Sequence, residues 1–202
     1  TDILVKRGAK IKLIEVKAKS FDPTEQYEFI GKRGTVTSGW RPYLFDIAFQ
    51  KYVVQQCYKN AVIDSFFMMA DKTKVATIDG LNQKIRLPVS GDIRKNVTVN
   101  LTPEQAAETS VLSEVSVSHI VQDIIGGKHP YYDNLNFQEA IPLLKSIYSE
   151  KTYPSWPTSY SKCKSCQFKA TEEEKARGLL SGFEHCFKTQ HKWSQEDFNR
   201  SN

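Results

Sequence analysis

The sequence lacks any apolar run long enough to cross a membrane, and it contains few cysteines. No stretch approaches the roughly 20 apolar residues that a membrane-spanning helix needs, so we expect no membrane partner. Four cysteines in 202 residues are too few for the disulfide framework of a small secreted protein. The net charge of +5 is modest, and it permits a polyanionic partner without requiring one. These absences favour a globular protein of the cytoplasm.

The 202 residues are enough for one medium domain, or for one domain with a small appendix, and contents of 40% hydrophobic and 25% charged residues are typical of a globular chain. Residue periodicity predicts strands over 2–6, 10–18 and 62–69, short β-rich pieces over 75–78, 84–87 and 97–101, and helices over 44–58, 103–125 and 136–150. Thr102 and Asn136 are the expected N-caps of the last two helices. From residue 153 the composition shifts to Lys, Cys, Glu and aromatics. We therefore predict a main α/β domain over 1–152 and a cysteine-rich tail over 153–202.

The first two strands are predicted to form a β-hairpin with its turn at Gly8-Ala9. Antiparallel pairing around this turn joins residues whose numbers add to 17, which places Asp2 across from Glu15 on one sheet face. Side chains alternate along a strand, so Glu15 and Lys17 share a face as well. The pattern therefore predicts two carboxylates and one amine at the same end of the hairpin.

Two adjacent carboxylates repel each other unless a cation lies between them. Mg²⁺ prefers oxygen ligands and often binds one or two carboxylates together with a phosphate, so Asp2 and Glu15 are candidate ligands of Mg²⁺ or Mn²⁺. Lys17 can then orient or deprotonate a metal-bound water, or stabilise charge on phosphorus. This constellation predicts phosphodiester hydrolysis. The alternative is that Glu15-Val16-Lys17 is a strand edge with an ordinary charge pair.

Basic and aromatic residues around the hairpin offer contacts for a nucleic acid. Lys19 follows Lys17 on the same strand face and is a candidate phosphate contact. The predicted loop over 20–43 supplies a candidate surface for phosphate binding and base stacking, made of Lys32, Arg33, Trp40 and Arg41. The alternative is a solvated basic loop.

Three of the four cysteines lie close to the C-terminus. Cys163 and Cys166 form a C-x2-C motif, which presents two thiolates to one metal ion, and Cys186 follows after nineteen residues. The candidates for a fourth ligand are His191, His185 and Cys57. The motif is compatible with a Cys₃His zinc site or with an iron–sulfur cluster that takes a further thiolate from elsewhere. The alternative is three free thiols.

The hairpin resembles the core of RecB-like nucleases in the PD-(D/E)xK superfamily. The segments that carry the resemblance are Asp2-Ile3-Leu4-Val5 and Leu13-Ile14-Glu15-Val16-Lys17-Ala18-Lys19. The resemblance implies a restriction-endonuclease-like fold, in which a central mixed sheet is flanked by helices. It also implies a glutamine that supports the active site from the next helix, and Gln50 matches it. Val54 stands where the family has a tyrosine, and Gln55 and Gln56 are alternatives to Gln50.

The tail extends the resemblance. RecB-like nucleases of the AddB and CRISPR-associated four-cysteine exonuclease type hold their C-terminal tail with an iron–sulfur cluster, using one upstream cysteine and three terminal ones. Three segments look like a bacterial RecB-like family in which an RNase H-like exonuclease domain follows: Trp156-Pro157, 161–168 and 181–186. The resemblance implies a 4Fe–4S cluster, with Zn²⁺ as the alternative. It also implies an upstream cysteine missing from this sequence and a further domain in the full-length chain. The nineteen-residue gap before Cys186 is longer than in AddB-type clusters.

The sequence therefore predicts a Mg²⁺- or Mn²⁺-dependent exonuclease that acts on DNA ends or single strands in repair, recombination or defence. The alternative from another class is a non-catalytic nucleic-acid-binding or assembly module with a zinc-ribbon tail.

Overall fold

The structure is a computed structural model that describes residues 1–87, 97–108, 111–131, 135–150 and 158–200. The chain divides into two compact units, Thr1–Leu144 and Lys145–Asn202. The predicted boundary between residues 152 and 153 lies outside the described residues, as do Trp156 and Pro157.

The first unit is a mixed α/β structure. Its strands are β1 (Ile3–Arg7), β2 (Lys10–Phe21), β3 (Val62–Asp71), β4 (Ile85–Arg86), β5 (Thr98–Val99) and β6 (Leu112–Ser116). Its helices are α1 (Arg41–Cys57), α2 (Leu81–Lys84), α3 (Pro103–Glu108), α4 (Ser118–Ile125) and α5 (Phe137–Glu150), the last of which runs into the second unit. A four-stranded sheet has the order β1-β2-β3-β6, in which β2 and β3 are parallel and the other neighbours antiparallel. β4 and β5 pair separately.

The parallel pair β2 and β3 is connected through α1, which packs on the sheet. Alternate residues of the strands are apolar, so one sheet face can bury its side chains. Leu44 and Ile47 of α1 pack with Phe67 of β3 and Val121 of α4 in one buried cluster. A smaller cluster contains Ile11, Leu13 and Ile63 and includes Val54 from the end of α1. α1 is therefore fixed over the face of β2 that carries the odd-numbered side chains.

The hairpin, α1 and β3 were predicted from periodicity, and their positions are confirmed. Two other predictions are wrong. The expected helix over 103–125 is instead α3, strand β6 and helix α4, because Leu112–Ser116 pairs with β3 as an antiparallel strand. Residues 75–78, expected as a β-rich piece, form no strand.

Both predicted N-caps are confirmed by reciprocal hydrogen bonds. Thr102 Oγ1 accepts from the Gln105 N–H, and Gln105 Oε1 accepts from the Thr102 N–H. Asn136 and Glu139 form the same exchange at the start of α5. Each pair satisfies helix N–H groups that have no partner within the helix.

The second unit contains short helices around an aromatic cluster. These are α6 (Tyr160–Cys163), α7 (Glu172–Ala176), α8 (Gly182–His191) and α9 (Gln195–Arg200). Phe183, Phe187 and Phe198 are buried, and Trp193 packs against them. In the described parts of both units, no helix combines the length and the apolar character needed to cross a membrane.

Candidate functional site

The hairpin has the register that the sequence predicts. β1 and β2 pair from Ile3 opposite Ile14 to Arg7 opposite Lys10, around a turn in which Gly8 has a φ of 60°. Asp2 precedes the first of these pairs, and its Oδ2 accepts a hydrogen bond of 2.8 Å from the Val16 N–H. The Asp2 carboxylate is therefore held against the backbone of β2, one residue from Glu15.

Glu15 and Lys17 lie on the same face of β2, as predicted. The Lys17 Nζ is 2.9 Å from Glu15 Oε1, and Glu15 is only 8% exposed. A carboxylate at this depth needs a partner, and Lys17 supplies charge and a hydrogen bond together. The register of β2 against β3 shifts between Val16 and Ser20, so Lys17 lies in an irregular stretch of the strand. Such irregularities re-aim side chains and are common near active sites.

Gln50 of α1 reaches the same carboxylate from above the sheet. Its Nε2 donates to Glu15 Oε2 at 3.2 Å and to Asp46 Oδ1 at 3.2 Å. Within the described residues, the buried Gln50 Oε1 has no hydrogen-bond partner. The alternative Gln55 is used elsewhere, since its Nε2 donates to three backbone carbonyls after the end of α1, those of Tyr58, Lys59 and Ala61. The structure therefore joins Gln50, rather than Gln55, to the hairpin.

Asp46 belongs to this cluster, although the sequence interpretation did not single it out. Its Oδ2 lies 3.9 Å from Lys17 Nζ, and its Oδ1 accepts from Gln50. The signal was present, because Asp46 and Gln50 are four residues apart on one helix and such residues are neighbours. Glu15 and Asp46 therefore bring two carboxylates to the Lys17 ammonium.

Lys19 lies over an aromatic surface at the start of α1. Its Nζ is 4.5 Å from the ring centroid of Trp40 and 4.9 Å from that of Tyr43, and it donates to the Gly39 carbonyl at 3.1 Å. Lys17 Nζ lies 4.9 Å from the same Tyr43 ring. The two lysines thus share one sheet face, and Tyr43 links them.

Trp40 does not offer the base-stacking surface that the sequence suggested. Its side chain is 5% exposed, its ring stacks on Phe67 at 5.7 Å, and its Nε1 donates to Glu28 at 2.7 Å. The expectation is wrong because burial of the large indole fixes the loop to the core.

The other basic candidates differ in their surroundings. The Arg41 guanidinium donates to the Pro130 and Tyr131 carbonyls, which ties the residues after α4 to the start of α1. Lys32 and Arg33 are exposed in a tight turn between Gly31 and Gly34. Arg41 therefore has a structural role, whereas Lys32 and Arg33 face solvent.

The donor chemistry of the first unit fits a divalent cation that prefers oxygen. Asp2 and Glu15 supply carboxylate oxygens, and each oxygen can accept more than one interaction. The unpartnered Gln50 Oε1 is an acceptor that a metal-bound water can satisfy. Across the described ranges, no group of three or more His, Cys, Asp or Glu side chains forms a ready-made metal site. Mg²⁺ takes one or two carboxylates and keeps several waters, and Asp2 and Glu15 are donors of this type.

The three terminal cysteines gather around one apolar cluster in the second unit. Cys163, Cys166 and Cys186 are partly buried free thiols, and all three pack against the cluster of Phe183, Phe187 and Phe198. The segment after Cys166 approaches the start of α8 closely, because the Gly182 N–H donates to the Phe168 carbonyl at 2.8 Å. A Cβ at Gly182 would lie 2.9 Å from the Phe168 Cβ, so glycine permits this approach.

The candidate fourth ligands are placed differently. His191 Nε2 lies 2.5 Å from Thr158 Oγ1, and its ring packs on Phe187. His185 is exposed on α8. Cys57 is exposed at the last position of α1, in the first unit. A search of protein-family models, curated proteins and solved structures finds no match to this chain.

Proposed function

We propose that the first unit has a restriction-endonuclease-like fold and carries the metal-dependent active site of a nuclease. The observation that carries the proposal is the contact set around Glu15, in which Lys17 and Gln50 hold its two oxygens while Asp2 lies against the adjacent Val16 amide. The proposal is also supported by the element order. The hairpin is followed by α1 and then by β3, which pairs with β2 in parallel.

The proposed roles follow from the chemistry of each group. Asp2 and Glu15 would hold Mg²⁺ or Mn²⁺, which when bound polarises the scissile phosphate and lowers the pKa of a bound water. Lys17 would hold that water or stabilise negative charge on the phosphate, because its ammonium is already fixed beside Glu15. Gln50 would accept a hydrogen bond from the water through its unpartnered Oε1.

The substrate is proposed to be DNA, presented as ends or single strands. Lys19 stands next to Lys17 on the same face and would contact a neighbouring phosphate. Lys32 and Arg33 are exposed and available for further phosphate contacts. In the second unit, Cys163, Cys166 and Cys186 would hold a 4Fe–4S cluster or Zn²⁺ together with a further ligand.

The test is cleavage of end-labelled single-stranded and duplex oligonucleotides with Mg²⁺ and with EDTA. Lys17→Ala should lower the Mg²⁺-dependent rate by about 10² to 10⁴, the usual contribution of a positioned proton-transfer group. The matched control is Lys12→Ala, which removes a lysine from the same strand together with its pair with Glu114 and its contact with the Phe66 ring, but leaves the contacts of Glu15 in place. Equal rates for wild type and Lys17→Ala would show that the cleavage does not come from this site.

A non-catalytic nucleic-acid-binding module is the second candidate. It is favoured by the way the polar groups satisfy one another, since both Glu15 oxygens and the Asp2 Oδ2 already have protein partners. This candidate predicts salt-dependent oligonucleotide binding without cleavage in any divalent metal. The same oligonucleotides therefore separate the two functions.

A further inference from the structure

Asp46 contacts two of the proposed active-site groups but has no place in the hydrophobic core. Its side chain is 49% exposed, on the helix face that points to the hairpin. Oδ1 accepts from Gln50 Nε2 at 3.2 Å, and Oδ2 lies 3.9 Å from Lys17 Nζ. These two contacts indicate that the half-exposed carboxylate orients its neighbours and contributes little to core packing.

The contact with Gln50 fixes which way its amide points. An amide NH₂ has two hydrogens, and both are directed at carboxylate oxygens, one on Glu15 and one on Asp46. A turned amide would aim its oxygen at these oxygens, which cannot donate when ionised. The observed orientation leaves Oε1 buried and without a partner in the described part of the chain. Asp46 thus favours the orientation in which Gln50 presents an acceptor.

The same carboxylate limits where Lys17 can move. Lys17 Nζ lies between Glu15 Oε1 at 2.9 Å and Asp46 Oδ2 at 3.9 Å, on the Tyr43 ring. Four side chains therefore form a closed ring of contacts, in which Glu15 contacts Lys17, Lys17 contacts Asp46, Asp46 contacts Gln50 and Gln50 contacts Glu15. Asp46 is the more exposed of its two carboxylates.

We infer that Asp46 is a positioning residue, which orients the Gln50 amide and holds Lys17 without touching the reacting atoms itself. The catalytic part of this inference rests on the proposed nuclease function. The orientation of Gln50 does not, because it is a property of the free protein.

The first experiment measures the Gln50 side-chain amide by NMR in the metal-free chain. Asp46→Ala should shift one of the two Nε2 protons upfield and speed its exchange with water by about tenfold, because one hydrogen bond is lost. Asp46→Asn keeps an oxygen acceptor and should retain most of the protection. Asp79→Ala removes the same charge from an exposed turn and is the control. An unchanged Gln50 amide in Asp46→Ala would overturn the inference.

The second experiment is a double-mutant cycle on oligonucleotide cleavage. Asp46→Ala should lower kcat by about tenfold with KM within about twofold, as expected when no substrate contact is lost. Asp46 is proposed to act through Gln50 and also through Lys17. The Asp46→Ala, Gln50→Ala double variant should therefore be slower than Gln50→Ala alone by less than the tenfold that Asp46→Ala costs by itself. Fully additive losses would contradict positioning through Gln50. Absence of cleavage by wild type would defeat the nuclease proposal, and the NMR result would still decide the role of Asp46.

Discussion

In the first unit, Glu15, Lys17 and Gln50 hold one another directly through charge and hydrogen bonds, whereas in the second unit Cys163 and Cys186 lie against phenylalanine rings. The polar cluster has its geometry set by its own contacts on a strand and a helix. Among the described residues, the thiols have no such contacts in common and instead each pack against the aromatic cluster. The polar groups of the first unit therefore fix one another's positions, whereas the positions of the thiols follow from the packing of the rings.

The largest expected effect is the loss of stability when a buried aromatic ring of the second unit is removed. Phe187→Ala should lower the free energy of unfolding of this unit by about 3 to 5 kcal/mol, because Phe187 is 2% exposed and contacts Phe183 and Trp193. Chemical denaturation measures this loss, with the reactivity of the thiols as the signal that reports unfolding. Leu180→Ala is the control, since Leu180 is 89% exposed and should stay within about 0.5 kcal/mol.

The Cys166→Ser variant measures how much a thiol contributes to the stability of the second unit, for comparison with the ring of Phe187. In metal-free protein it should cost far less than Phe187→Ala, because the partly buried thiol packs at the edge of the cluster. In protein purified without oxygen, it should abolish bound iron or zinc. A larger loss for Cys166→Ser than for Phe187→Ala in metal-free protein would show that the thiols, rather than the rings, organise this unit.

A smaller effect comes from pH in the first unit. Burial lowers the pKa of His129 below its usual 6.5, and the nearby Lys128 and Arg41 charges act in the same direction against Asp123. The unfolded chain therefore binds this proton more readily, so the stability that neutral His129 contributes is present above about pH 6.5 and is lost as pH falls through the folded pKa. His129→Gln should flatten the fall in unfolding free energy between pH 7 and pH 5. An identical pH slope in wild type and variant would contradict this account.

The sequence could predict the parts of the fold that depend on local rules. The register of β1 and β2 follows from the turn at Gly8 and strand alternation, and the caps at Thr102 and Asn136 follow from their side chains. The sequence does not predict β6, because Leu112–Ser116 lacks the polar–apolar alternation of a half-buried strand and only its pairing with β3 identifies it.

The candidate site was predictable where it lies on one strand and less so where elements meet. Glu15 and Lys17 share a face by alternation alone. The burial of Trp40 depends on Phe67 and Glu28, which are distant in sequence, so the sequence alone predicts an indole available for stacking. Asp46 became evident only when α1 was placed over β2, because its contact with Lys17 crosses between the two elements.

The most direct test of the central claim is Mn²⁺ titration of the isotopically labelled chain, followed by paramagnetic line broadening. If the hairpin carboxylates bind a divalent cation beside the Lys17 ammonium, the signals of Asp2, Glu15, Val16, Lys17 and Gln50 should broaden first. Glu15→Gln should abolish this selectivity. Broadening that begins elsewhere, or that is the same in wild type and Glu15→Gln, would contradict a metal-dependent site at this hairpin.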